Sequence, residues 1–88
     1  MEISFKKIAI KDINNLPNQD KEEITEILFN DLPEINSIHE INNLVKIKGY
    51  KHYYRIRTGN YRIGIKYENN RIVIMRVLHR KEIYRFFP

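Results

Sequence analysis

The residues able to do chemistry gather in the second half of this chain. Arg55 and Arg57 stand two apart, Arg62 follows a Thr58-Gly59-Asn60 turn, and Lys66, Arg76 and Arg80 come after. Cations at alternating positions share one side of a sheet, where they can grip phosphate oxygens and offset charge that grows on phosphorus during a reaction. Displacement at phosphate also needs groups that take and return a proton. Histidine is the side-chain type suited to this near neutral pH, and His79 is the one histidine set among these cations. It also reads as a structural strand-end residue, because alternation turns it to the core side. His39 and His52 are isolated and read as surface residues.

Other chemistries find no support. The chain has no cysteine, so it offers no disulfide, thiolate nucleophile or soft metal ligand, which suits a reducing cytoplasmic location. Asp20, Glu22, Glu23 and Glu26 form the solvated face of a helical segment. No carboxylate cluster lies near the histidines, and neither metal nor cofactor is expected. The three glycines make neither a phosphate loop nor a dinucleotide fingerprint.

Charge is strongly polarised. Residues 1–45 hold four Lys/Arg against nine Asp/Glu, residues 46–88 twelve against two, and the net charge is +5. A surface this basic attracts polyanions, of which nucleic acid is the commonest. The plain alternative is a solvated charged face. Met1–Ile10 carries Glu2, Lys6 and Lys7 and has no long apolar run, so no signal peptide and no membrane span are expected.

The elements that must position these cations read as one α+β domain over residues 1–88, a size that allows one modest core. Glu2–Phe5 is a first strand. Lys7–Asn15 is a helix with Ala9, Ile13 and Leu16 on its apolar stripe, ended by Leu16-Pro17. Asp20, with Glu23 three residues on, has the pattern of a capping box for a second helix over Lys21–Phe29. Residues 31–47 repeat apolar side chains every three positions, as a short third helix or a packed loop would. Tyr53–Arg57 and Tyr61–Tyr67 alternate as the strands of a hairpin. Glu68-Asn69-Asn70 is a second turn. Arg71–Leu78 is apolar on both sides and reads as a central strand. The tail His79–Pro88 is basic and aromatic. The order is β-α-α-β-β-β, with the helices on one face of an antiparallel sheet.

Alternation then sorts the side chains. Tyr54, Ile56, Tyr61, Ile63, Ile65 and Tyr67 face the helices, and Arg55, Arg57, Arg62, Gly64 and Lys66 face away. Carried into the third strand, it sets Val73, Met75 and Val77 on the core side and Ile72, Ile74, Arg76 and Leu78 on the basic side. Four arginines and a lysine on adjacent strands about 5 Å apart repel one another. With no acid predicted among them, they suit a bound anion. Arginine stems on a wet face, covering apolar surface, are the bland alternative.

Several segments carry a resemblance: Lys48-Gly49-Tyr50, Tyr53-Tyr54-Arg55-Ile56-Arg57, Thr58-Gly59-Asn60-Tyr61-Arg62-Ile63 and Val77-Leu78-His79-Arg80-Lys81-Glu82-Ile83-Tyr84-Arg85. Together they resemble the RelE/ParE toxin superfamily, most closely its RelE-type messenger RNA interferase branch. The match is dense over Lys46–Arg85 and looser over the N-terminal helices. The resemblance implies a toxin of a type II toxin–antitoxin pair that cuts messenger RNA without a metal, often on the ribosome, by attack of a 2′-hydroxyl on the adjacent phosphate. It implies a protein antitoxin that wraps the toxin, and contact with operator DNA only through that antitoxin.

By resemblance, Arg62 matches the phosphate-stabilising arginine, and Arg80 and Tyr84 the C-terminal arginine and tyrosine. Arg55 and Arg57 stand where other members have lysines, and since arginine stays protonated, the general base is left open. With His79 these form the expected catalytic set. Lys48, Lys51, Lys66, Arg76, Lys81 and Arg85 are expected to bind RNA, and Ile72, Ile74 and Leu78 to dock the antitoxin. Two other functions fit parts of the pattern. One is a ParE-like toxin of the same fold that poisons DNA gyrase; the other is a nucleic-acid-binding module without catalysis.

Overall fold

A computed structural model describes residues 1–88. Five strands, β1 (Glu2–Phe5), β2 (Leu44–Lys46), β3 (Tyr53–Thr58), β4 (Tyr61–Glu68) and β5 (Arg71–His79), form one sheet in the order β1-β5-β4-β3-β2. The pairs β2–β3, β3–β4 and β4–β5 are antiparallel, whereas β1 runs parallel to β5. That parallel edge follows from the connection. Helix α1 (Lys7–Asn14) leaves β1, and the chain crosses the helical layer and three strands before returning beside it. As expected from its two apolar sides, β5 is interior, and Ile72 and Ile74 are fully buried.

One face of the sheet carries the main core. Ala9 and Ile13 of α1 pack there with Leu16, Ile24, Leu28 and Leu32, against Ile56, Ile63, Ile65, Ile72, Ile74 and Val77. Helix α2 (Asn18–Glu26) starts earlier than the capping-box pattern implies. Its first residue follows Pro17, whose carbonyl accepts from Lys21 N at 2.8 Å, so Asp20 sits in the first turn rather than at the cap. A carboxylate there still suits the helix dipole. A π-helical turn (Ile27–Asp31) and the short helix α3 (Leu32–Glu34) continue α2.

The triplet repeat over residues 31–47 resolves into α3, a 3-10 turn (Ile38–Glu40) and the edge strand β2. In the 3-10 turn, Ser37 and Glu40 form a capping box. The sheet thus has one strand more than the alternation pattern reveals. β2 is only three residues long, too short to display a period.

Both hairpin turns use the residues they require. Gly59 takes φ +57° in the β3–β4 turn, and Asn69 and Asn70 take φ 53° and 61° in the β4–β5 turn. Asparagine tolerates this left-handed conformation, and two such residues in a row suit the twist of a two-residue hairpin.

The expected facing of β5 is corrected by a bulge. Ile65 pairs with Ile74, but Gly64 pairs with Arg76, which leaves Met75 unmatched. An extra residue reverses the alternation. Ile72 and Ile74 therefore belong to the core, not to the basic face, and cannot offer exposed surface to an antitoxin. Beyond the bulge Val77 returns to the core, and Arg76 and Leu78 take the opposite face as expected. No helix is long and apolar enough to cross a membrane.

Candidate nucleic-acid interface

The face away from the core is built in cross-strand rows. Arg57, Arg62 and Leu78 are neighbours in one row. Val45, Arg55, Gly64 and Arg76 make the next, and Tyr53, Lys66 and Val73 the third. Arg57 and Arg62 stand directly opposite each other, an arrangement that like charges disfavour.

The C-terminal segment folds over this face, with helix α4 (Ile83–Phe86) at its centre. Its anchor is Phe87, 5% exposed, which covers Gly64 and meets the Tyr53 ring edge-on at 5.6 Å. A Cβ on Gly64 would lie 2.7–2.8 Å from three atoms of the Phe87 ring, so only glycine fits beneath it. Ile83 is completely buried, and neither it nor Phe87 belongs to the main core. Through α4 the guanidinium of Arg55 lies over the Tyr84 ring at 4.5 Å, a cation–π contact. Tyr84 is 70% exposed, which leaves its ring open to a further stacking partner.

Arg62 sits at the middle of this cluster. Its Nη1 donates to the carbonyls of Gly59 at 3.0 Å and Tyr61 at 2.9 Å, which ties the side chain to the hairpin turn. Arg80 is held at the same turn, its backbone N–H donating to Asn60 O at 2.8 Å. Burial and the positive charges of Arg57, Arg80 and Arg55 lower the Arg62 pKa from its ordinary value, and Tyr84 acts against the shift. None of the molecule's ion pairs involves Arg55, Arg57, Arg62 or Arg80. Four guanidiniums, none of them in an ion pair, thus share a surface with an exposed tyrosine, an arrangement suited to phosphate. A cleft of about 590 Å³ opens beside them between the Ile27–Ile35 segment and the β3–β4 hairpin, with Arg57, Arg62 and Arg80 on its wall.

The other expected residues fare differently. Arg76 is not free for RNA. Its Nε and Nη2 donate to the Asp12 carboxylate at 2.8 and 3.1 Å, and the side chains are only 18% and 9% exposed. Asp12 also accepts the Val77 N–H at 3.0 Å, where β5 runs on past the end of β1. The expectation of a face without acids is corrected here, because Asp12 reaches it from α1, 64 residues away in the chain. Arg76 stacks on Phe86 at 5.3 Å, so this ion pair also braces α4.

His79 pairs with Tyr61 on the helix side of the sheet, its ring edge-on to that tyrosine at 5.4 Å. Its Nδ1 accepts the Lys81 N–H at 3.1 Å. It faces away from Arg62. Lys66 lies 3.9 Å from Glu68, in the row farthest from the hairpin turn. Lys48 and Lys51 are exposed on the β2–β3 loop, at the end of β3 remote from Arg57; Lys81 is exposed just before α4 and Arg85 is exposed on it. No three His, Cys, Asp or Glu side chains gather as metal ligands.

Gly64 and Phe87 are functional neighbours that alternation alone does not reveal. A glycine inside a strand signals a close approach by another group. Asp12 carries no comparable local signal.

Residues 3–84 match the family of ParE toxins of type II toxin–antitoxin systems, parDE. Toxin RelE3 of Methanocaldococcus jannaschii is 42% identical over 89 residues, covering 100% of both chains. The matching chain of the RelB–RelE antitoxin–toxin complex from Methanococcus jannaschii superposes with a TM-score of 0.81 at 42% identity, over 97% of this chain and 99% of that one. A chain of the RelBE2 toxin–antitoxin complex from Mycobacterium tuberculosis shares the fold, with a TM-score of 0.72 at 23% identity over 90% of each. A family match across nearly the whole length and a full-length relative at 42% identity carry the resemblance to its conclusion: the chain belongs to the RelE/ParE family of type II toxin–antitoxin toxins.

Proposed function

We propose that the protein is a metal-independent endoribonuclease that cleaves messenger RNA in the cytoplasm, on ribosomes, and is held inactive by a protein antitoxin. The observation that supports this reading is the constellation of Arg55, Arg57, Arg62 and Arg80 around exposed Tyr84, none of the four in an ion pair. In the reaction the 2′-oxygen forms a bond to the adjacent phosphorus, and the bond from phosphorus to the 5′-oxygen breaks. The products are a 2′,3′-cyclic phosphate and a 5′-hydroxyl. The 2′-proton leaves to a base, and the departing 5′-oxygen acquires one.

Arg62, fixed by two carbonyls before substrate arrives, stabilises the added negative charge on the phosphorane. A preorganised donor of this kind contributes about 3–4 kcal/mol. Arg57 and Arg80 hold the non-bridging oxygens. Arg55 keeps Tyr84 in place beneath a stacked base. The arginines remain protonated and act as donors, so the 2′-proton goes to a group other than these four.

The antitoxin assignment draws on the RelB–RelE antitoxin–toxin complex in which the 42% identical relative occurs. An acidic antitoxin segment would compete with RNA for the unpaired arginines. Operator DNA is reached only through that antitoxin.

Steady-state cleavage of a short RNA by wild type and Arg62→Ala tests the assignment. Loss of about 3 kcal/mol of transition-state stabilisation lowers kcat by roughly two orders of magnitude. A variant of unchanged melting temperature that cuts at the wild-type rate removes Arg62 from the mechanism. The match to ParE toxins favours a second reading, inhibition of DNA gyrase. Inhibited supercoiling with RNA left intact would select it.

A further inference from the structure

One cross-strand row of the sheet, Arg55 on β3, Gly64 on β4 and Arg76 on β5, receives the C-terminal segment. Each position meets one aromatic ring of that segment. Arg55 lies over Tyr84 at 4.5 Å, Gly64 lies under Phe87, and Arg76 lies over Phe86 at 5.3 Å. Helix α4 is four residues long, too short to hold itself without packing. Its buried anchors are Ile83 and Phe87, whereas Tyr84 and Phe86 are 70% and 48% exposed. Two anchors define an axis and leave rotation about it open. That rotation decides where the exposed Tyr84 ring points, so a contact off the axis has to set it.

Three guanidiniums touch the two exposed rings, and one of them is itself fixed. Arg85 lies over Phe86 at 5.4 Å but belongs to α4 and turns with it. Arg55 is in no ion pair and is free to turn towards a bound phosphate. Arg76 is clamped. Its Nε and Nη2 donate to the two carboxylate oxygens of Asp12 at 2.8 and 3.1 Å, a bidentate pair that fixes the plane of the guanidinium. Asp12 in turn accepts the Val77 N–H at 3.0 Å and sits on α1, whose Ala9 and Ile13 are buried in the main core. A chain of defined contacts therefore runs from the core through Asp12 and Arg76 to Phe86 and α4.

We propose that Asp12 is a positioning residue: by fixing the Arg76 guanidinium against Phe86, it sets the rotation of α4 and so the angle at which Tyr84 meets an RNA base. Asp12 touches neither substrate nor reacting atoms and acts from α1 through Arg76. The effect on cleavage rests on the ribonuclease reading; the orientation of Tyr84 does not.

Arg76→Lys and Asp12→Asn test it. Lysine keeps a cation for Asp12 but has no flat group to lie against Phe86. Asparagine keeps an acceptor for the Val77 N–H but loses the charged fork. Melting temperatures show whether each variant folds, and Arg76→Lys, which keeps the ion pair, decides where Asp12→Asn does not fold. The first readout is kcat/KM for a short RNA, measured with Tyr84 present and in a Tyr84→Ala background. Misplacing a positioned group costs about tenfold or more, so each variant should lose that factor when Tyr84 is present and less than about twofold when it is absent. An equal loss in both backgrounds, the mark of a merely structural role, overturns the proposal, as does no loss in either. The second readout requires no catalysis. The Tyr84 ring current shifts the Arg55 side-chain proton signals upfield in wild type, and these should move back towards their ordinary positions in both variants. Arg55 signals that stay unchanged overturn the proposal even where cleavage falls. If wild type cuts no RNA, the ribonuclease reading fails, and the Arg55 signals alone decide.

Discussion

Gly64→Ala should detach the C-terminal segment from the sheet. The new methyl group would lie 2.7–2.8 Å from three atoms of the Phe87 ring. Gly64 sits inside β4 between two hydrogen-bonded neighbours, so the strand cannot retreat and the ring must. Phe87 is 5% exposed, and returning such a side chain to water costs about 1.5–3 kcal/mol. The better strand propensity of alanine offsets part of this, so the net loss should be about 1–2 kcal/mol. For a domain of this size each kcal/mol lowers Tm by about 4–8 °C.

The informative assay is a double-mutant cycle in chemical denaturation. In a Phe87→Ala background the methyl has nothing to strike, so adding Gly64→Ala should be neutral or mildly stabilising. Coupling of at least about 1 kcal/mol between the positions is expected for contacting residues. Because Tyr84 rides on the same segment, Gly64→Ala should also slow RNA cleavage about tenfold or more. Equal destabilisation by Gly64→Ala with and without the Phe87 ring would refute this reasoning.

Three further outcomes follow from the geometry. Asp12→Asn leaves Arg76 nearly buried and without its counter-charge, a loss of about 3–5 kcal/mol measurable by urea denaturation, whereas Asp12→Leu combined with Arg76→Met should recover much of it. His79→Gln should alter cleavage by less than about threefold, because His79 faces the helix side; a loss comparable to that of Arg62→Ala would return it to the reaction. The lowered pKa of Arg62 means that the unfolded chain holds this proton more tightly, and the penalty is present at every pH below the folded value. Stability should therefore not vary through this group between about pH 5 and pH 9, yet inorganic phosphate should raise Tm, and Arg57→Gln should weaken that response.

Local patterns made much of the cluster legible in the sequence. Arg55, Arg57 and Arg62 obey strict alternation across a turn whose residues announce it, and their shared face required no tertiary knowledge. Facing failed at Ile72 and Ile74 because a bulge at Met75 adds one residue, and apolar side chains on both sides of it hide the change of phase. β2 escaped notice for the opposite reason, being three residues long. The Asp12–Arg76 pair joins positions 64 apart, and only the packing of α1 against β5 brings them together. Gly64 did carry a signal, since a strand-interior glycine asks what lies above it. Its occupant, the final aromatic of the chain, has no pattern of its own.

In the proposed function the arginine cluster drives transesterification at RNA phosphate without a metal. The most direct measurement is the end chemistry of RNA cut by the purified protein, with ribosomes and a chelator present, read by mass spectrometry and by sensitivity to kinase labelling. Wild type should leave 2′,3′-cyclic phosphate and 5′-hydroxyl ends, and Arg62→Ala should leave neither. Fragments bearing 5′-phosphate ends, or cleavage that disappears when chelator is added, would contradict the proposed function.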